Sequence, residues 1–518
     1  MTRPASIRRK RYLRLTRVLV LLSALSAAIY LKWLMFDAVP ENHVLFVLLV
    51  SAEVFNLAQA AGFWYTVYSQ EWPEPPMPDF ATTHETIDVF ITVCGEPPEI
   101  VEETVRAAMR IRHPRKTVWI LDDGQSLEIE AVAAFNGARY LTRSDRTGAK
   151  AGNVNNALRR TTGDFVVILD ADHSPRPEFL ERTMGAFRDP AIGFVQTPQS
   201  YRNRHENRVA GGAHDQLMIF YGPILRGRNP RDAVFSCGTN VVFRRDAFDV
   251  VNGMPEDSIT EDLRIALLLL REGYRSVYVP EVLAEGIGPV DVPGYFSQQS
   301  RWARGGLEIL FKRRPFFSGM RPSTVIEYIL SFMYWFTGWA YGIYLVLPMA
   351  YLMFGQRPVQ VPNQYPVYFL PYLAITLVTM AYATEFRINF RAIWFTLGSF
   401  PVHIGAFLSA IFGKRAKFVV TAKSGAQRAV RPVAVHLLII VILAFAIMVG
   451  LLREGFTPSA TNNVAFALGH ILILQGFARY ALFPEKEPEP EPKRPGDLLP
   501  PEPVLATRYM PSWEVEGE

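Results

Sequence analysis

Six stretches of this sequence are apolar over the roughly 20 residues that an α-helix needs to cross a hydrocarbon core. They run over about 17–36, 44–68, 324–353, 365–386, 434–452 and 464–482. Two come before a long mixed segment and four after it, so the chain is a helical membrane bundle interrupted by a water-facing insertion. The composition agrees: 49% of residues are hydrophobic and 20% charged, which excludes a disordered chain and an ordinary soluble one. The two cysteines, Cys94 and Cys237, exclude a disulfide framework or a cysteine zinc cluster and fit a reducing compartment.

Charge orients the bundle. Arg8, Arg9, Lys10, Arg11, Arg14 and Arg17 precede the first stretch, which reads as a retained anchor because a second span follows almost at once. The short turns 37–43, 354–364 and 453–463 carry only Arg357 and Arg453, so they are expected outside, with the long insertion and both ends inside. Residues 390–413 are apolar enough for a seventh span. A crossing there would carry Lys414, Arg415, Lys417, Lys423, Arg428 and Arg431 outside, against the positive-inside bias. An interfacial helix is expected instead. The net charge of +5 then follows from topology, and no nucleic-acid partner is needed.

The expected organisation has two spans in 1–85, an α/β domain in 86–293, an interfacial helix in 294–320 and two spans in 321–388. A further interfacial helix and loop occupy 389–433, two more spans 434–483, and an acidic, proline-rich tail 484–518 is expected to be disordered.

Within 86–293, β-branched runs alternate with helical patterns, which predicts a mostly parallel, helix-covered sheet. Strands are expected at 88–93, 117–121 and 165–169. Ligands of such sheets sit at the carboxyl ends of strands, where this sequence places Asp122-Asp123-Gly124 and Asp170-Ala171-Asp172. Asp170 and Asp172 could share a hard divalent ion, Mg²⁺ or Mn²⁺, with a substrate phosphate. A solvated turn is the plainer reading of that pair. Lys150, in the small-residue stretch 148–153, suits an anion at a helix start, or is simply a surface lysine. Thr260, Glu261 and Asp262 open an apolar helix, either as a cap with favourable acids or as a site for a general base. Gln298, Arg301 and Trp302 lie within one helical turn before the third span, as an interfacial belt or as groups for diphosphate and sugar. There is no GxGxxG, GxxxxGK[ST] or HExxH. Each motif alone has a structural explanation, but their order on one α/β segment between spans does not.

That order resembles the processive family 2 glycosyltransferases, of the bacterial cellulose synthase catalytic-subunit type, from about the first span to the fifth. The resemblance implies an α/β GT-A fold inserted in about six spans plus interfacial helices, an inverting mechanism, and export of the growing chain. By motif it implies that Asp122, with Asp123, serves the uridine, and that Lys150, Asp170, Gln298 and Arg301 serve the donor diphosphate. Asp172 and Asp170 would hold Mg²⁺ or Mn²⁺, with Asp262 of Thr260-Glu261-Asp262 as general base. Trp302, and Cys237 and Phe235 in a stretch similar to FFCGS, would meet the acceptor. Phe418, Thr421 and Lys423 match FxVTxK, the gating loop.

The departures are Cys94 in place of a tyrosine, Gly148 in place of a histidine, and Ser236 in FFCGS. No RxxxR…[DN]xSxxG cyclic di-GMP motif is present. The implied partners are a UDP-sugar, most simply UDP-glucose, a glucan chain, the bilayer of a bacterial inner membrane and an outer-face accessory subunit. The catalytic domain is expected in the cytoplasm. Tyr334, Trp335, Phe336, Trp339 and Tyr341 are aromatic candidates for a sugar path. Alternatives are another UDP-sugar or linkage (β-1,3 or mixed), single-sugar transfer to a lipid, or a non-enzymatic scaffold.

Overall fold

β1 (Ile87–Val93) is buried along its whole length, as befits a central strand covered on both faces. Ile87, Val89, Ile91 and Val93 pack with Val101, Val105 and Ile120 on one side. Phe90 packs on the other with Leu121, Val154 and Ile168. This computed structural model describes residues 3–80, 84–312, 317–360, 364–412 and 429–484.

The remaining strands are β2 (Lys116–Asp122), β3 (Arg139–Thr142), β4 (Phe165–Asp170), β5 (Ser174–Pro175), β6 (Ile192–Gln196), β7 (Ser200–Tyr201), β8 (Val241–Arg244), β9 (Arg275–Tyr278) and β10 (Ala284–Gly286). Seven form one sheet in the order β3-β2-β1-β4-β8-β6-β9, and β5-β10-β7 form a second, small one. β1 runs parallel to both β2 and β4, pairing Val93 with Asp122 and Thr92 with Asp170. Two of the sequence-marked aspartates therefore end the two strands that flank β1, opposite consecutive β1 residues.

The expected parallel sheet needs one qualification, since β8 runs antiparallel to β4 and β6. Val241, which opens β8, stands opposite Ile168 near the end of β4. The segment 236–240 that feeds β8 is thus delivered to the edge where Asp170 lies.

Seven helical segments are long and apolar enough to cross a membrane, among them Phe390–Ile411. The stretch expected as one span at 324–353 is two helices, Pro322–Tyr334 and Thr337–Phe354, broken at Trp335 and Phe336. The short turns gather at the end of the bundle away from the sheet. Glu41 and Asn42 donate backbone bonds to Pro358 and Arg357, and Arg453 Nη2 donates to Tyr351 O at 2.8 Å. At the opposite end Tyr12 Oη donates to Ala383 O at 2.7 Å, and Arg226 of the domain pairs with Glu385 at 2.7 Å, both fully buried.

The helices Phe390–Gly398 and Phe400–Ile411 make contacts at this domain end. His436, which begins the helix Ala434–Glu454, meets Gly398 O at 2.7 Å. Gly338, which begins Thr337–Phe354, abuts Phe400 and His403. Gly212 of the domain faces the ring of Phe395.

Candidate active site

Lys150 organises the centre of the site. It sits in the first turn of Ala149–Leu158, which starts after Gly148 at φ +75°. Its Nζ makes a short contact with Asp170 Oδ1 and donates to Gly238 O at 2.8 Å. Burial works against its charge, but Asp170, Glu261 and Asp262 outweigh that and hold its pKa above the ordinary lysine value. Asp170, also disfavoured by burial, is held below the usual carboxylate range by Lys150 and His173.

Gly238 joins the lysine to the second acidic motif. Its φ is +78°, and a Cβ placed there would lie 3.0 Å from Asp262 Oδ2. Asp262 Oδ1 accepts from the Leu263 amide at 2.8 Å. Burial raises its pKa, and Lys150 and Arg301 oppose the rise. Glu261 is raised as well, by burial and by its acidic neighbour. Thr260 occupies the cap position of this helix but makes no side-chain cap bond. It packs instead against Gly305, where an added Cβ would fall 2.2 Å from Thr260 Cγ2. That glycine contact seats the helix Val292–Lys312, which carries Gln298, Arg301 and Trp302, on the Thr260-Glu261-Asp262 turn. Gln298 Nε2 donates to Tyr201 Oη at 3.3 Å, and the Arg301 charge acts on both Tyr201 and Asp262. Trp302 is half-buried on the same turn.

A candidate cation cradle lies beside this centre, where ligand atoms of Asp170, Asp172 and His173 are all within 4.8 Å of one another. Asp172 is nearly enclosed, and its Oδ2 accepts from the Ile287 amide at 2.9 Å. His173 Nδ1 faces Asp172 Oδ1 at 3.3 Å, while His173 Nε2 is buried with no hydrogen-bond partner among the described residues. Two carboxylates, a histidine and an orphaned ring nitrogen fit a divalent ion that needs an orienting neighbour. Sequence reading passed over His173, although it directly follows Asp172. Glu96, also missed, has its pKa raised by burial and by Asp170 and Asp172.

The two aspartates after β2 are enclosed. Asp122 accepts from the Gly124 and Ser126 amides and from Tyr140 Oη at 2.7, 2.8 and 2.9 Å, which fixes the turn. Asp123 is held by two 2.7 Å bonds from Arg143, which also donates to Thr147 O and Ala149 O. Arg143 thereby ties the β2 turn to the loop leading into Lys150. Where the related motif has a histidine, Gly148 has φ +75°, and a Cβ there would fall 2.5 Å from Glu256 Oε2, so a larger residue would strain the backbone and displace Glu256.

Cys237 is at the site's edge. Its amide donates to Gln196 Oε1 at 2.8 Å, and burial pushes the thiol up to about 12, with Tyr221 and Asp262 as neighbours. Phe235 is not brought into this group: it is buried against Tyr328 and beneath the Arg228 guanidinium. Phe418, Thr421 and Lys423 lie outside the described residues.

Comparison with known proteins gives this arrangement its class. Residues 165–384 match the family model described as Glycosyl transferase family group 2. A mannosyltransferase of Pyrobaculum calidifontis, solved with GDP-Man and Mn²⁺, superimposes with a TM-score of 0.53 at 18% identity, over 72% of this chain and 100% of that one. At that identity the likeness establishes the fold. The α/β domain has the GT-A glycosyltransferase fold, and it carries the greater part of the match to family group 2, from Phe165 onward.

The catalytic subunit of cellulose synthase 1 (UDP-forming) from Komagataeibacter xylinus is 32% identical over 425 residues, 79% of this chain and 57% of that protein. Cellulose synthase 2 of Novacetimonas hansenii is 30% identical over 495 residues, 89% of this chain and 31% of that protein. The chain is a homologue of bacterial cellulose synthases, and it spans about a third to three-fifths of the length of these two relatives.

Proposed function

We propose that this chain is a membrane-embedded, inverting, processive glycosyltransferase that polymerises a β-glucan from UDP-glucose and exports it. The linkage is cellulose-like, β-1,4. The observation that carries this reading is the convergence of Lys150, Asp170 and Asp262 around Gly238, with the Arg301 helix seated on Thr260. The homology to cellulose synthases, one of them UDP-forming, supports the donor and the product.

In this mechanism the uridine lies by the turn that Asp122 and Asp123 close, and the diphosphate lies between Lys150 and Arg301. Asp172, Asp170 and His173 would hold Mg²⁺ or Mn²⁺, which when bound supplies charge neutralisation for the departing diphosphate. Asp262 takes the proton of an acceptor hydroxyl, and its raised pKa suits it to that task. The freed oxygen attacks the anomeric carbon opposite the leaving group. The new C–O bond forms as the sugar–phosphate bond breaks, so the configuration inverts and UDP departs. Lys150 and Arg301 stabilise the developing charge from fixed positions.

Six helices cross the bilayer on this reading, and 390–411 lies along the inner face. The contacts of Gly398 and His403 at the domain end, together with the positive-inside bias, support that topology. The domain faces the cytoplasm, and Trp302 supports the acceptor sugar.

The test is UDP release by the purified protein in detergent. Release from UDP-glucose that needs Mg²⁺ and is lost in Asp262→Asn is expected. Mg²⁺-independent release, or release that survives the substitution, overturns the proposed roles.

A further inference from the structure

The small sheet β5-β10-β7 stands between the two halves of the site. β5 follows directly on Asp172 and His173. β10 pairs with it through Glu285 and Ser174, and with β7 through Gly286 and Tyr201. The end of β10 grips the cation cradle. The Ile287 amide donates to Asp172 Oδ2 at 2.9 Å, and the His173 ring lies so near Gly286 that an added Cβ would fall 2.3 Å from His173 Cε1. β7 is locked to the same stretch: Asn203 and Gly288 exchange two hydrogen bonds at 2.9 and 3.2 Å, and Gly288 packs on the Tyr201 ring.

Two neighbouring side chains extend this frame in two directions. Tyr201 is extended (φ −106°, ψ 120°), and successive residues of an extended segment point to opposite sides. Tyr201 is buried, and its hydroxyl accepts from Gln298 Nε2 at 3.3 Å, on the helix that bears Arg301. The charges of Asp172, Asp170 and Arg301 all act on that hydroxyl, which puts it between the cradle and the diphosphate arm. Arg202 reaches the other way. Its Nη1 donates to Ser174 Oγ at 3.2 Å and to Asp172 O at 3.4 Å, on either side of His173. Its Nη2 pairs at 2.9 Å with Glu103 Oε2 on the helix Pro98–Met109. Glu103 balances the charge, and the planar fork holds three oxygens at fixed angles as an ammonium cannot.

We infer that Arg202 and Tyr201 are positioning residues for sugar transfer. Arg202 holds the 172–174 loop in the shape that takes the cation. Tyr201 seats the turn of Gln298 and Arg301 that takes the diphosphate, and the small sheet keeps the two in register. Both roles rest on the polymerase reading and add two residues to it. Neither side chain touches the reacting atoms.

The test uses the full-length protein in detergent. Mn²⁺ binding in the presence of UDP is read by electron paramagnetic resonance, and kcat and KM for UDP-glucose come from UDP release. Arg202→Gln is expected to raise the Mn²⁺ dissociation constant about tenfold or more, as loss of a group that orients metal ligands does. It should melt close to wild type, because its ion pair lies at the surface. Arg202→Lys keeps the charge without the fork and should weaken Mn²⁺ as well. Tyr201→Phe keeps the buried ring and removes one hydrogen bond, so KM should rise about three- to tenfold while kcat changes less. In kcat/KM the double variant should lose less than the product of the single losses, since both bonds hold one frame.

Tighter Mn²⁺ in Arg202→Gln means that the arginine only repels the ion, and full recovery in Arg202→Lys means that charge alone acts. Either result overturns the role of Arg202, as does absence of Mn²⁺ binding in wild type. Unchanged KM in Tyr201→Phe overturns the role of Tyr201, and multiplicative losses overturn the shared frame. If wild type binds Mn²⁺ and UDP without making polymer, and Arg202→Gln still loses Mn²⁺, the frame stands and the polymerase reading fails. If wild type polymerises and Arg202→Gln binds Mn²⁺ as tightly, the polymerase reading stands and the frame fails.

Discussion

Lys150 and Asp262 face one another across a single glycine: the ammonium bonds the carbonyl of Gly238, and a Cβ added to Gly238 would lie 3.0 Å from the Asp262 carboxylate. The φ of +78° means that glycine fills the position without strain. Gly238→Ala should cost about 1–2 kcal/mol of stability from the left-handed backbone and lower kcat about tenfold or more by displacing the base. Donor affinity should change less than kcat. Turnover and UDP binding measured on the same preparation check the split.

Replacing the base itself isolates the chemistry. Asp262→Asn should lower kcat by about 10²–10⁴ while leaving UDP binding close to wild type. It should also melt higher at neutral pH. The folded pKa of Asp262 is raised, so the stability linked to this group is present below its unfolded pKa and is lost as pH rises through the folded one. The amide has no charge to bury. Thermal unfolding across pH 5 to 8 tests this.

Activity should fall as pH drops through the raised pKa of Asp262, above the ordinary carboxylate range, because the base must be ionised. Lys150 opposes that rise. Lys150→Met should therefore move the acidic limb of the pH–rate profile to higher pH, besides weakening donor binding. A limb that stays in place contradicts the geometry.

Chelation should abolish turnover, with recovery on adding Mg²⁺ or Mn²⁺. His173→Ala should raise the metal concentration needed for half-maximal rate by about 10–100-fold, as loss of an orienting or ligating neighbour does. Excess metal should restore much of the rate. A metal titration of wild type and variant side by side gives the answer.

Where the domain meets the bundle, Arg226 and Glu385 form a fully buried pair. Glu385→Gln should cost about 3–5 kcal/mol, since it leaves the Arg226 cation buried without its counter-charge. The expected readout is a lower melting temperature in detergent.

Much of this was legible in the sequence because it depends on local pattern. The first, second and fourth strands follow their β-branched runs, and Asp122 and Asp170 fall at strand ends as the runs predict. The span expected at 324–353 hid a break at Trp335–Phe336, where neither glycine nor proline marks the interruption. The antiparallel β8 was not legible, since its direction is set by pairing with strands far away in sequence. The same holds for Arg143 and Gly238, whose roles appear only when distant segments meet. Thr260 had the composition of a cap, but packing against Gly305 took precedence over the cap bond.

The central claim is that the site built around Lys150, Asp170 and Asp262 polymerises glucose. It is tested most directly by giving the purified protein UDP-glucose and Mg²⁺ and challenging the product with linkage-specific glucanases. The account predicts an insoluble polymer cut by a β-1,4-glucanase and absent from Asp262→Asn. A soluble single-transfer product, or a polymer resistant to that enzyme, would contradict it.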